Sequence, residues 1–458
     1  MRWPVSFLAP KQAMNHDTAE HPATLAQRLP DLVQRALLCA LIALTVISSP
    51  RILLASIRSF PNMPLDFQTI SLSVGSYPSL ALIVFTLMRL ALHAGYRAAF
   101  GHSMSRVMGG AGALLWAALA VWMAVSAAWA VAPELARFTS LHVVMGIFVA
   151  LIMADAVIRH GDRWALWALI GGAAVQAAIG LLQVLNGGPL GLGGLGETPR
   201  LWYEPTNFFR ASALSMHANY LGGYLMLALF ACLILIGRGW PNRAAIRLPI
   251  LAAGLIGAGL VATLSRSAML STAVGLGPLI LIGVFSLRGR LRTFVIGSVA
   301  LAGVAAVLLA LIVVRGDVAT RFLMGREFFF DASWQVIQRF PILGVGAGSL
   351  MAAVGEMQEV TLQPVLPVHN VYLFIWAEVG IIGMGLYVAA LATVLLRVRV
   401  RQHGWAGLVW GCAFVALAFV SLFDNYPWAI PPHQLITFWA LGLWWGYTLR
   451  PDAAVPAH

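Results

Sequence analysis

Apolar runs with few or no charges recur from end to end of this chain of 458 residues. Many approach the ~20 residues at which an α-helix crosses a hydrocarbon core of roughly 30 Å. Composition agrees: 60% of residues are hydrophobic and only 10% are charged, with a mean hydropathy of +0.84, against roughly 25% charged in a soluble domain. Too little polar surface remains to face water. A transmembrane β-barrel would instead show alternating segments of about ten residues, and these are absent. The expected fold is an all-α, polytopic membrane helix bundle of about 12 transmembrane helices. One larger loop on the side away from the cytoplasm, containing a short amphipathic helix, completes it.

The runs are Leu32–Ser49, Thr69–Leu92, Gly109–Val131, Phe138–Ile158, Trp164–Leu185 and Ser215–Gly237, then Ala244–Leu264, Ser267–Leu287, Thr293–Val314, Val368–Leu396, Trp405–Phe423 and His433–Leu449. They divide the chain into a cytoplasmic tail (1–31), a bundle of about nine spans (32–314), an outer loop (315–367), about three further spans (368–449) and a second cytoplasmic tail (450–458). The first thirty residues carry Lys11, Asp17, Glu20 and several prolines, and the first apolar run starts only near Leu32. A cleaved signal peptide would reach its apolar core sooner, so an uncleaved first helix is expected.

Orientation follows from the basic residues. With the N-terminus inside, nineteen of the 29 Lys and Arg fall on the cytoplasmic side, with six of the 17 acids. The outer side holds ten arginines (Arg51, Arg58, Arg137, Arg200, Arg210, Arg266, Arg315, Arg321, Arg326, Arg339) and ten acids, and Glu378 lies within a span. The net charge of +12 is therefore cytoplasmic excess, as the positive-inside rule expects. The basic residues flank spans in short loops and form no basic domain, so the pI of about 10.4 does not indicate nucleic-acid binding. Cys39, Cys232 and Cys412 lie singly in apolar runs, with no spacing suited to a disulfide framework or metal site.

An arginine on the outer face then needs a reason. Most can pair with the outer acids. Arg210 stands at a helix mouth, in Asn207-Phe208-Phe209-Arg210-Ala211-Ser212, and Arg266 sits between two apolar runs, in Thr263-Leu264-Ser265-Arg266-Ser267. An arginine at such depth is costly unless it meets a polar cavity or an anion, and its planar fork of donors suits phosphate.

In the long outer connection, Gly325 to Phe340 reads as an amphipathic helix with Phe330, Trp334 and Ile337 at helical spacing, ended by Pro341. Gly344-Val345-Gly346-Ala347-Gly348 follows. Without a preceding strand it is a tight backbone turn against the membrane surface rather than a nucleotide-binding loop. Pro367-Val368-His369-Asn370 then opens a helix, placing a group that titrates near neutrality at the outer boundary. Glu378, nine residues on, lies on the opposite side of that helix at about 100° per residue, which suits packing or loop capping. Asp424, in Phe423-Asp424-Asn425-Tyr426-Pro427, is a turn residue within reach of the same face.

Together, Arg321-Phe322, Trp334, Phe340 to Gly348, His369-Asn370-Val371-Tyr372-Leu373 and Glu378-Val379-Gly380 resemble the O-antigen ligase and polymerase superfamily, over about Arg200 to Trp445. The segments around Arg210 and Arg266 fall where that family has its other signatures. The resemblance implies an inverting, metal-independent glycosyltransferase without a cofactor, in the bacterial inner membrane with its active site periplasmic. Its donor would be an undecaprenyl diphosphate-linked glycan, and its acceptor a glycolipid or glycan such as lipid A-core. Carried onto this chain, Arg210 and Arg266 would hold the diphosphate and His369 would assist the acceptor hydroxyl. Asn370, Arg321, Arg326 and Arg339 are further substrate-binding candidates. O-antigen ligation leads this reading, with polymerisation of O-antigen or exopolysaccharide and protein O-glycosylation as variants. A secondary transporter or lipid flippase also fits the helix count. However, no inverted repeat is visible, and no set of ionisable residues lies at mid-membrane, where only Glu378 is a candidate for coupling.

Overall fold

The computed structural model describes residues 25–47, 51–57, 67–198, 209–240, 242–286, 318–357, 366–396 and 400–449. The expected span Thr293–Val314, most of both tails, parts of the long loop and the side chains of Arg321 and Arg326 lie outside the described residues.

The described chain is helical apart from one hairpin. In order, α1 is Leu25–Leu44, α2 Tyr77–Leu92, α3 Ala94–Met108, α4 Ala111–Ser126, α5 Pro133–His160, α6 Arg163–Asn186, α7 Ala218–Gly239, α8 Arg243–Ala262 and α9 Arg266–Ser286. After the undescribed stretch come α10 (Val318–Arg339), α11 (Leu350–Met357), α12 (Val371–Leu396), α13 (Val400–Val420), α14 (Tyr426–Ala429) and α15 (Pro431–Leu449). Among the described residues six helices are long and apolar enough to cross a membrane, or seven if α3 and α4, bent by 91°, count as one span. An all-α polytopic membrane protein is thus borne out, while a count of twelve is not reached. The expected span Val368–Leu396 is interrupted at Val379-Gly380, and the one expected at Trp405–Phe423 is a shorter apolar helix, Gly404–Val420, set off from the start of α13 by a break at Gly404.

The hairpin is a departure from expectation. Arg51–Ser56 (β1) pairs antiparallel with Thr69–Ser73 (β2), so the run expected to be helical from Thr69 becomes a strand first and a helix only at Tyr77. Its β-branched residues Thr69 and Ile70 suit a pleated pairing. Pro78 stands in the first turn of α2, where its missing N–H costs no hydrogen bond.

Polar contacts sort the helix ends into two groups. At one end, Arg89 at the close of α2 and Arg159 at the close of α5 share Asp31 near the start of α1, at 2.9 and 3.0 Å. Arg159 also pairs with the fully buried Asp155 at 2.7 Å. Arg238 at the close of α7 and Tyr447 near the close of α15 both reach Asp162, just before α6, at 2.8 and 2.6 Å. The guanidinium of Arg106 meets the carbonyl of Leu449. All four of these arginines carry the same expected side. Between the ends lies one large apolar core, containing Trp116, Trp410, Trp439 and Trp444.

Candidate functional site

The opposite end gathers the closes of α6, α8 and α13 with the starts of α7, α9 and α12. Arg210 lies in the connection before α7. Its Nε donates to the carbonyl of Thr263 at 3.0 Å, and an Nη donates to Oδ1 of Asn219 at 2.7 Å. The Asn219 amide passes the contact on, donating from Nδ2 to Oδ2 of Asp424 at 2.7 Å. The neighbouring Asn425 donates from its side chain to the carbonyls of Pro367 and Val368, at 3.4 and 3.2 Å. Val371 N–H bonds to the Ser421 carbonyl at 2.8 Å, and the Asn370 side chain to that of Leu422 at 3.1 Å. One chain of polar contacts thus runs from Thr263 through Arg210, Asn219 and the 421–425 turn to the segment bearing His369.

Thr263 closes α8, and its hydroxyl accepts from the N–H of Ser265 at 3.1 Å. Arg266 follows, exposed, as the first residue of α9. It stands at the positively polarised start of that helix, a setting that favours an anion. The two arginine segments therefore meet through one threonine. Each also contains one of the two non-glycine residues with positive φ among the described residues, Ala213 (50°) three after Arg210 and Leu264 (49°) two before Arg266. Such conformations cost on the order of 1–3 kcal/mol and concentrate where a fold holds groups for a task.

The Ala213 conformation is held from α6. Gln183 Oε1 accepts from the N–H groups of Ser212 and Ala213 at 3.2 and 2.8 Å, and Gln176 Oε1 accepts from Leu214 N–H at 3.1 Å. Gln183 also donates to Glu197 at 2.6 Å. The Glu197 carboxylate ties down the Gly-rich connection by accepting from Leu190 and Leu192 N–H at 2.7 and 2.6 Å. Burial pushes this carboxyl upward, but the Leu190 and Leu192 N–H groups and the Gln183 amide outweigh it and hold it below the usual value. The charge-based reading of the sequence missed these amides. A usable signal was present: two glutamines seven residues apart share one face of an otherwise apolar helix.

His369 is half-buried, just before α12, with its ring near that of Phe329 on α10 (centroids 6.3 Å apart). Asn370 accepts from Leu373 N–H at 3.0 Å, an N-cap contact. Arg339 is exposed at the close of α10.

The Gly-rich turn docks as expected of a backbone turn, but onto protein. Gly344, Gly346 and Gly348 all have positive φ. Val345 and Gly346 N–H bond to the carbonyls of Ala377 and Glu378 at 3.1 and 2.7 Å, against a break in α12 at Val379-Gly380. The buried carboxylate of Glu378 accepts from the N–H groups of Gly348 and Leu350. This is the loop-capping role expected for it. Asp424 likewise combines its turn role, accepting from Asn425 N–H at 3.0 Å, with its contact to Asn219.

Among the described residues no cluster of three or more His, Cys, Asp or Glu is arranged to hold a metal ion. No curated protein matches the chain. Residues 250–388, which include Arg266, Arg339, His369, Asn370 and Glu378, match the family model described as O-antigen ligase, and this match supports the O-antigen ligase and polymerase superfamily for the chain.

Proposed function

We propose that the protein is an inverting glycosyltransferase that moves a glycan from undecaprenyl diphosphate to an acceptor hydroxyl at the periplasmic face of the inner membrane. The acceptor favoured is lipid A-core, which makes the reaction O-antigen ligation. Polymerisation of glycan repeat units and protein O-glycosylation use the same donor chemistry. The observation that carries the reading is the polar chain linking the Arg210, Arg266 and His369 segments.

In this reading the acceptor oxygen attacks the anomeric carbon from the face opposite the diphosphate. The carbon–oxygen bond to the diphosphate breaks, its electron pair leaves with the lipid diphosphate, and His369 takes the hydroxyl proton. Arg210 and Arg266 stand where negative charge grows, and fixed cations there lower the barrier without reorganisation. Arg210 is pre-set for this by Thr263 and Asn219. Asn370, Arg321, Arg326 and Arg339 are assigned to contacts with the glycan or acceptor. This chemistry requires neither metal nor cofactor if the arginines stabilise the leaving group.

The test is transfer in a deletion strain complemented with Arg266→Ala or His369→Ala, with the amount of protein in the membrane measured alongside. Each substitution is expected to reduce transfer by about 10²-fold or more at unchanged protein level. Full transfer in both would remove the proposed site. The deletion phenotype separates the variants: glycan stranded on the carrier lipid indicates ligation, and single repeat units on the core indicate polymerisation. Ion-dependent uptake into liposomes that survives His369→Ala would favour the transporter reading.

A further inference from the structure

The long outer connection was expected to hold an amphipathic helix followed by a turn against the membrane surface, and its second half presents an apolar face that suits lipid. Phe330 and Trp334, one turn apart on α10, are exposed with nearly parallel rings (12°, centroids 6.2 Å apart). Ile337, expected on the same stripe, is instead buried with Val336 in the core. Phe340, Ile342 and Leu343 follow, 46, 59 and 44% exposed. An apolar surface this continuous is not left to water without a partner.

Its attachment indicates what covers it. Trp334 meets Trp376 of α12 edge-on at 6.0 Å. The carbonyl of Pro341 accepts from both the Trp376 indole, at 2.9 Å, and the N–H of Ile381, at 3.0 Å. Trp376 lies five residues into α12, before the break at Val379-Gly380, or roughly 7.5 Å along its first segment. Ile381 lies just past that break. The Pro341 turn is therefore fastened to both sides of the break, inside a stretch, Val371–Leu396, that is long and apolar enough to cross a membrane.

The backbone of the turn largely meets the demand of that position. Non-helical chain is tolerated beside lipid only where its polar groups find protein partners. The carbonyl of Phe340 accepts from Gly344 N–H at 3.0 Å, and that of Leu343 from the Trp129 indole at 3.3 Å. With Pro341 doubly occupied and the Ile342 carbonyl set against Gly380, three of the turn's four carbonyls have hydrogen-bond donors from the protein.

We infer that Phe330, Trp334, Phe340, Ile342, Leu343 and Trp376 form a seat in the headgroup and upper acyl region of the bilayer, so that the second half of α10 is an interfacial helix. Asp331, Gln335 and Gln338, exposed on an adjoining side of α10, face the aqueous side. This is the layout of a helix lying in a membrane surface, with aromatic residues at the boundary. The seat would hold whatever the neighbouring site transfers. It would also bring Phe329 and His369 to the level at which a lipid's phosphate groups lie.

The test uses the full chain with Cys39, Cys232 and Cys412 replaced by alanine, reconstituted in phosphatidylethanolamine–phosphatidylglycerol vesicles. Single spin labels are placed by Phe330→Cys, Ile342→Cys, Leu343→Cys and Gln338→Cys, with Ile382→Cys on the exposed side of α12 as the lipid reference. The ratio of collisions with oxygen to collisions with a water-soluble nickel chelate should be several-fold higher at 330, 342 and 343 than at 338, and close to that at 382. Ratios at 330, 342 and 343 matching that at 338 would overturn the inference. Should labelling unfold a variant, Trp334→Phe decides without a label. Quenching of tryptophan emission by lipids brominated high on the acyl chain should fall relative to the unsubstituted protein, and unchanged quenching would count against the seat.

Discussion

Asn219 separates what charge reveals in a sequence from what it conceals. Arg210 and Arg266 stood out because a guanidinium is costly among apolar runs, and His369 because it opens a helix after a polar loop. The residue that connects Arg210 to Asp424 carries no charge, and a lone amide at a helix start reads as an ordinary capping residue. Its two ends are used oppositely: oxygen toward Arg210 and nitrogen toward Asp424. Asn219→Leu removes both the acceptor for Arg210 and the donor to the buried Asp424 carboxylate. The substitution is expected to cost about 1–3 kcal/mol through the lost donor and to depress transfer through a displaced Arg210. Thermal denaturation in detergent and the complementation assay would read the two effects separately. Full stability with full transfer would mean that Asn219 does not position Arg210.

At the scale of elements, the helices were legible because an apolar run has few alternatives in a membrane, and the hairpin was not. The strand at Thr69–Ser73 merges in sequence with the helix that follows, and hydropathy alone does not mark the change of backbone. The Gly-rich motif was legible as a turn, though not its partner, because the break at Val379-Gly380 is visible only once α12 is built. Gly380 and Gly404 have nearly the same backbone angles (φ 71° and 59°, ψ −178° and −168°), a region only glycine adopts readily. Their surroundings differ. A Cβ on Gly380 would sit 1.8 Å from the carbonyl oxygen of Ile342, whereas nothing lies within 4 Å at Gly404. Gly404→Ala should therefore show only the conformational cost, about 1–3 kcal/mol. Gly380→Ala should exceed it clearly and release the Gly344–Gly348 turn, seen as faster proteolysis of that turn. Equal melting temperatures for the two variants would contradict the docking described.

The connection before Arg210 yields a pH dependence of known sign. The Glu197 carboxyl is held below its ordinary value of 4.5, so its stabilising contribution is complete above that value. It is lost as pH falls through the lowered one, when the proton displaces the contacts to Leu190 and Leu192. Amide exchange in 187–198 should accelerate below about pH 4.5 once corrected for the intrinsic rate. Glu197→Gln should show the loosened state already at neutral pH. Identical protection in both proteins at pH 7 would exclude this role for the carboxylate.

For the molecule as a whole, the sorting of helix ends is the feature that sequence and structure reach by different routes. The positive-inside count assigned Arg89, Arg106, Arg159 and Arg238 to one side without reference to contacts, and the fold gathers them at one end through Asp31, Asp155, Asp162 and the carbonyl of Leu449. The site residues collect at the other. A bundle threaded differently would scatter these groups, so the agreement supports the order of crossings among the described helices. The proposed sidedness adds one assertion, that the arginine-linked end is cytoplasmic, and labelling in cells can decide it. Gly101 on α3 and Gly188 after α6 are both open, with nothing within 4 Å of an added Cβ, so a cysteine at either should leave the packing intact. With Cys39, Cys232 and Cys412 replaced by alanine, Gly188→Cys should react in intact cells with a maleimide that cannot cross the inner membrane, and Gly101→Cys should react only after the membrane is opened. The reverse pattern would invert the protein and place the arginine–histidine site in the cytoplasm, away from the proposed donor. Labelling of both in intact cells would mean that α3 and the connection after α6 share a side, against the sorting of ends that the ion pairs imply.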